Sequence, residues 1–89
     1  MSWYVYLLRC SDGSLYAGIT TNLARRVDEH NRGKAGAKYT RGRRPVVLVW
    51  SESVADRAAA SRRERAVKAL RREEKEKLLR SAEVCQNGG

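Results

Sequence analysis

A chain of 89 residues has room for one compact domain and one modest core. Its longest apolar run, Val46-Val47-Leu48-Val49-Trp50, is far too short to cross a bilayer, and no charged-then-apolar-then-small leader opens the chain, so a cytoplasmic protein with no membrane attachment is expected. The formal net charge of +9, from 19 Lys and Arg against 10 Asp and Glu, points to a polyanionic partner, nucleic acid first.

The two cysteines, Cys10 and Cys85, lie far apart and offer neither a metal cluster nor a disulfide framework, which fits a reducing compartment.

Residues 3–10 (Trp-Tyr-Val-Tyr-Leu-Leu-Arg-Cys) are rich in aromatic and branched side chains and read as a strand, with residues 14–19 as its antiparallel partner. Ser11-Asp12-Gly13 joins them. A two-residue Asp12-Gly13 turn would set Tyr16 opposite Arg9, on the other face from Tyr6; a three-residue loop with Gly13 in the left-handed region pairs Cys10 with Ser14 instead and is the favoured register. That register sets Tyr16 opposite Leu8 and Gly18 opposite Tyr6, so both tyrosines share a face and Gly18 leaves space beside Tyr6. A helix is predicted over residues 22–30, capped by Thr21 or Asn22, with Leu23 and Val27 as its buried stripe and Asn31-Arg32-Gly33 as its end. A long loop dense in Lys, Arg and Gly fills residues 33–45. Residues 46–50 read as a central strand buried on both faces.

Ser53 is expected to cap a long helix with Asp56 in its first turn and Ala55, Ala59, Ala66, Val67 and Leu70 as its apolar stripe. A break near Arg71-Arg72 leads to a short last helix over residues 73–80. The order β-β-α-β-α-α gives an α+β domain, a three-stranded antiparallel sheet flanked by helices, over residues 1–82, with residues 83–89 as a flexible tail.

The residues with chemistry cluster on the first helix and the hairpin. Arg26 and His30, four apart, stack on one helix face; His30 falls on the Leu23 and Val27 side and Arg26 at its edge, while Arg25, Asp28 and Glu29 take the solvent side. Turning an arginine and a histidine toward a sheet is costly unless they find partners, and the tyrosine face of the hairpin can supply them. Taken alone, the helix is better served by a snorkelling Arg26 and a hydrogen-bonded core His30, and the tyrosines by roles as core aromatics.

The ordered set Tyr4-Val5-Tyr6, Tyr16-Ala17-Gly18, Thr20, Asn22-Leu23, Arg26 and His30, followed by Glu64 on a later helix, resembles the GIY-YIG nuclease signature, and the resemblance runs from Trp3 to about Leu79. Lys38-Tyr39-Thr40-Arg41 is similar to a loop of the small stand-alone bacterial members. Tyr4 stands where the first motif has glycine and Ala17 where the second has isoleucine, both away from the side chains that carry the chemistry.

The resemblance implies a metal-dependent endonuclease that hydrolyses phosphodiester bonds in DNA, structured or damaged DNA of the kind met in DNA repair included. A tyrosine, Tyr6 or Tyr16, helps to deprotonate water. His30 takes or relays that proton and Arg26 holds the phosphate with a bidentate fork. Glu64 is the one protein carboxylate on a divalent cation, Mg²⁺ with Mn²⁺ as a substitute, since Mg²⁺ keeps several waters. Its spacing to Lys68 also fits a surface ion pair.

Lys34, Lys38, Tyr39, Arg41, Arg43 and Arg44 form the candidate DNA-contact loop, with cations for phosphates and an aromatic for a base. Absence of a separate recognition domain implies weak sequence specificity. Two alternatives keep the scaffold without the reaction: a non-catalytic nucleic-acid-binding module, and a subunit of a ribosomal or other RNA complex.

Overall fold

The computed structural model describes the backbone of residues 2–33 and 38–88 and the side chains of residues 2–33 and 40–80. Its elements are β1 (Trp3–Arg9), β2 (Leu15–Thr20), α1 (Leu23–Arg32), α2 (Lys38–Arg41), β3 (Val47–Val54), α3 (Arg57–Ala69) and α4 (Arg72–Gly88). The strands form one antiparallel sheet in the order β2-β1-β3. The architecture is α+β, as expected, with one further short helix, α2, inside the basic loop.

β1 is the central strand, and both of its faces are covered. Val5 and Leu7 point into a core with Ala17, Trp50, Ala60, Val67 and Leu79, which is the side closed by α3 and α4. Tyr6 and Leu8 point the other way, with Cys10 and Val46, and receive Leu23 and Val27 of α1. The hairpin has the expected register, Tyr6 opposite Gly18 and Leu8 opposite Tyr16. Gly13 supplies the turn's left-handed residue at φ +86°, which a side chain would strain.

β3 is an edge strand, not the central one expected. Its apolar run is continuous because a bulge breaks the alternation: Leu7 pairs with Trp50 but Leu8 pairs with Leu48, so Val49 is an extra residue. Val46 and Trp50 are buried on opposite sides of the sheet, whereas Val47 is 59% exposed.

The start of α3 also differs from expectation. Ser53 lies in β3, opposite Tyr4, and Asp56 is the cap, its side chain accepting from the Ala59 N–H at 2.8 Å. The buried stripe also differs from the expected one. Ala60 and Val67 are buried, Ala55 and Ala66 are exposed, and Leu70 ends the helix. Arg63 and Glu64 lie between Ala60 and Val67 on that inward face and are only partly exposed. α4 begins after the predicted break and continues to Gly88.

The crossing from α1 to β3 is fixed by two side chains. Asn31 of α1 accepts from the Val46 N–H at 2.7 Å and donates to its carbonyl at 3.0 Å, standing in for a neighbouring strand. Arg44 donates to the carbonyls of His30 at 2.6 Å and Gly33 at 2.7 Å, which closes the end of α1. Removing the Asn31 amide leaves two partly buried backbone groups without it, so Asn31→Ala is expected to lower stability by about 2 kcal/mol. Urea unfolding measures this, and an unchanged midpoint would remove Asn31 from the account.

Candidate active site

Three local features aim the functional side chains. Asn22 caps α1, its side-chain oxygen accepting from the Arg25 N–H at 3.0 Å. Leu23 and Val27 seat the helix on the Tyr6 face of the sheet and thereby set its rotation. The next residues in that stripe are Arg26, at its edge, and His30, fully buried. The hairpin register then brings Tyr6 and Tyr16 to the same helix.

His30 has both ring nitrogens in hydrogen bonds. Nε2 lies 3.0 Å from the Tyr6 hydroxyl and Nδ1 lies 2.9 Å from the Thr40 hydroxyl. Tyr6 and Tyr16 present edges to the imidazole, with ring centroids 6.0 Å and 5.3 Å away. Gly18 makes room for this arrangement. A Cβ at that position would lie 2.6 Å from Tyr6 Cζ, so any side chain would drive the ring off His30.

Arg26 donates to Glu29 at 2.9 Å and lies beside the Tyr6 hydroxyl. Burial works against its charge, but Glu29 and Tyr6 outweigh that and keep the guanidinium protonated. Glu64 comes from α3. Its carboxylate is 3.8 Å from the Lys68 ammonium and its charge acts on both tyrosines.

The electrostatics separate the groups. Burial raises the pKa of Tyr6, opposed by the adjacent Arg26, and burial also raises that of Tyr16. Burial, with Arg26 nearby, lowers that of His30 from 6.5 to about 4. At neutral pH the site therefore holds a neutral imidazole against a protonated phenol, with a fixed cation alongside. This arrangement sets a phenol against a ring-nitrogen hydrogen-bond partner and can hold an anion at Arg26.

Among the described residues, no group of three or more His, Cys, Asp or Glu side chains could hold a metal ion. Glu64 alone fits a hard cation that keeps most of its waters, and does not fit one that needs several protein ligands.

The structure brings Tyr6, Tyr16, Arg26 and His30 together, with Glu64 in electrostatic range of the tyrosines. The basic loop divides. Arg41 is exposed at the end of α2, Arg43 pairs with Asp12 at 3.0 Å, and Arg44 is turned onto the α1 carbonyls. The side chains of Lys34, Lys38 and Tyr39 lie outside the described residues. Thr40 and Glu29 complete the site, and the sequence reading gave neither a role in it. Glu29 was legible as an i,i+3 partner of Arg26. Thr40 was marked only as part of the Lys38-Tyr39-Thr40-Arg41 segment, because its partner is on another element and no periodicity links them.

This fold and this constellation define a class. The chain matches the GIY-YIG catalytic domain over residues 2–77 and belongs to that family, whose nucleases act on DNA and generally depend on a divalent metal. Within the family it is similar to the small UPF0213 proteins. One from Desulfotalea psychrophila is 52% identical over 82 residues, 92% of this chain and 74% of the relative. Another from Haloquadratum walsbyi is 56% identical over 75 residues, 84% of this chain and 83% of the relative.

Two solution NMR structures are also similar. A protein from E. faecalis has a TM-score of 0.64 and 43% identity, covering 94% of this chain and 88% of the other. The UPF0213 protein of Bacillus halodurans has a TM-score of 0.56 and 48% identity, covering 89% and 83%. No helix among the described residues is long and apolar enough to cross a membrane.

The lowered His30 pKa has a consequence for stability. Below pH 6.5 the unfolded chain takes up a proton on this histidine that the folded chain refuses until about pH 4. His30 therefore contributes fully above pH 6.5, and its contribution is lost as pH falls toward 4, by about 3 kcal/mol in all. Unfolding free energies measured across that range are expected to show this slope, and His30→Gln is expected to remove it. An equal slope in the variant would assign it to other groups.

Proposed function

We propose that this chain is a Mg²⁺-dependent endonuclease that hydrolyses phosphodiester bonds in DNA, structured or damaged DNA included, with Mn²⁺ able to substitute. The observation that carries the reading is the 3.0 Å contact between the Tyr6 hydroxyl and His30 Nε2 with Arg26 beside it. A core histidine needs a partner, but it does not need a tyrosine, an arginine and a neighbouring carboxylate at one point.

The residues divide the work as follows. The attacking water gives a proton to the Tyr6 oxygen as the phenol's own proton passes to His30 Nε2. Phosphorus then gains the water oxygen and releases the leaving oxygen in line. His30 is a weak base in the unliganded site, and the negative charge of a phosphate seated on Arg26 raises its affinity for that proton. Arg26 holds the phosphate and the charge that develops on it. Tyr16, less buried than Tyr6, hydrogen-bonds to the phosphate. Glu64 would hold a divalent cation, which when bound would supply further neutralisation of the phosphate's charge.

Around the site, Lys34, Lys38 and Arg41 neutralise neighbouring phosphates and Tyr39 stacks on a base, while Arg43 and Arg44 serve the same loop by anchoring it. These contacts read backbone rather than base edges, so sequence specificity is weak. The net charge of +9 supports the same polyanionic substrate.

The test is a cleavage panel of single-stranded, duplex, nicked, flapped and four-way DNA, with one RNA, each in Mg²⁺, Mn²⁺ or EDTA. Metal-dependent cutting of DNA is expected, reduced at least ~100-fold in both Tyr6→Phe and Glu64→Ala. Cutting retained by Glu64→Ala would refute the metal assignment. Binding without cutting across the panel would leave a non-catalytic module on the same scaffold.

Gly18→Ala gives an independent check on the geometry. It is expected to abolish measurable cleavage and to destabilise the fold by ~1–3 kcal/mol, because the new methyl group overlaps the Tyr6 ring. A variant with wild-type rate and stability would contradict the placement of that ring.

A further inference from the structure

Thr40 lies in a short helix of the basic loop, away from the motifs on the hairpin and α1, yet it is as buried as His30 itself. Its hydroxyl reaches His30 Nδ1 at 2.9 Å. The backbone around it is held in place: the Thr40 carbonyl accepts from the Arg43 N–H at 3.0 Å, the Arg43 carbonyl accepts from the Ser11 N–H at 2.9 Å, and Arg44 ties the next residue to the end of α1. A loop that looks solvated in the sequence thus carries one side chain into the interior, and that side chain faces the ring nitrogen opposite Tyr6.

A neutral imidazole carries a proton on one nitrogen only, and the partner of the other nitrogen decides which. At Nε2 the direction follows from Arg26. A guanidinium has only donors, and it faces the Tyr6 oxygen, which leaves Nε2 as an acceptor 3.0 Å away for the phenol's hydrogen. Nε2 must then offer its lone pair, and Nδ1 must carry the ring proton. That N–H points at Thr40 Oγ1, which can accept it.

We propose that Thr40 is the positioning residue of this site: by accepting the Nδ1–H of His30 it fixes the tautomer that leaves Nε2 free to receive the Tyr6 proton. The catalytic consequence rests on the nuclease reading; the tautomer does not. Thr40 never meets substrate. It acts through His30, as a group that orients a general base acts elsewhere.

The chain's single histidine makes the test direct. Nitrogen NMR of isotope-labelled full-length protein at neutral pH distinguishes a protonated from an unprotonated ring nitrogen, and every histidine side-chain signal belongs to His30. In the unmodified protein Nδ1 is expected to be protonated and Nε2 unprotonated. Thr40→Val keeps the shape and removes the acceptor, and is expected to move the ring proton to Nε2. Thr40→Ser is expected to restore the original pattern. Single-turnover cleavage is expected to fall about 10-fold or more in Thr40→Val, the size of one buried donor left unsatisfied, and to recover in Thr40→Ser.

A ring proton on Nε2 in the unmodified protein, or on Nδ1 in a folded Thr40→Val, overturns the inference whether or not the protein cuts DNA. A Thr40→Val protein that fails to fold moves the test to Thr40→Ser and the unmodified protein, where any tautomer but the Nδ1–H form overturns it. A protein that cuts nothing but shows the expected tautomers refutes the nuclease reading and leaves the role of Thr40 in place.

Discussion

A histidine shut away from water must have something to offer each of its ring nitrogens, and much of this molecule is organised by that requirement. Tyr6 from the central strand meets one nitrogen and Thr40 from the basic loop meets the other. The first is met because Leu23 and Val27 seat α1 on the Tyr6 face of the sheet. Satisfying the second draws the loop over the same face, where Arg44 and Asn31 close it against the end of α1 and the start of β3. A bond that is small in net energy therefore holds three elements in register, because breaking it strands polar groups where water does not reach.

The same burial gives the site its chemistry. Taken out of water, His30 is neutral and the two tyrosines are protonated, while Arg26 stays charged through Glu29 and Tyr6. A guanidinium held by Glu29 beside a neutral imidazole and two neutral phenols is an arrangement suited to receiving a phosphate. An apolar core fills the far side of β1, and α3 spans both roles: Ala60 and Val67 pack in that core while Glu64, one turn from each, reaches electrostatically to the tyrosines. A single helix thus contributes to the core and supplies the carboxylate.

Most of the site was legible in the sequence because its parts are fixed by local rules. Gly13 and loop length favour one hairpin register over the two-residue turn that would part Tyr6 from Tyr16, and the pairing of Tyr6 with Gly18 and Leu8 with Tyr16 is the favoured one. Helix periodicity gave Arg26 and His30 their common side, and the ordered motifs tied Glu64 to them. The misreadings share a cause. The bulge at Val49 counterfeited the pattern of a strand buried on both faces, and pairing with β1 carried the strand through Ser53, which then could not cap a helix. Both depend on a neighbour far along the chain. So does the role of Thr40, which the Lys38-Tyr39-Thr40-Arg41 segment marks as part of a loop but which only its partner on α1 reveals. Arg44 shows the reverse case: charge and loop context mark it for nucleic acid, while its guanidinium is turned onto two backbone carbonyls.

The account turns on His30 as the group that receives the Tyr6 proton. The most direct measurement is the single-turnover rate of DNA cleavage by His30→Gln, whose amide can still hydrogen-bond to Tyr6 but cannot take its proton, with folding checked by far-UV circular dichroism. The account predicts a folded protein whose rate falls by at least ~100-fold with substrate affinity retained. A folded His30→Gln protein that cuts DNA within about twofold of the unmodified rate, far inside the range expected for loss of a general base, would contradict it and return His30 to a purely structural role.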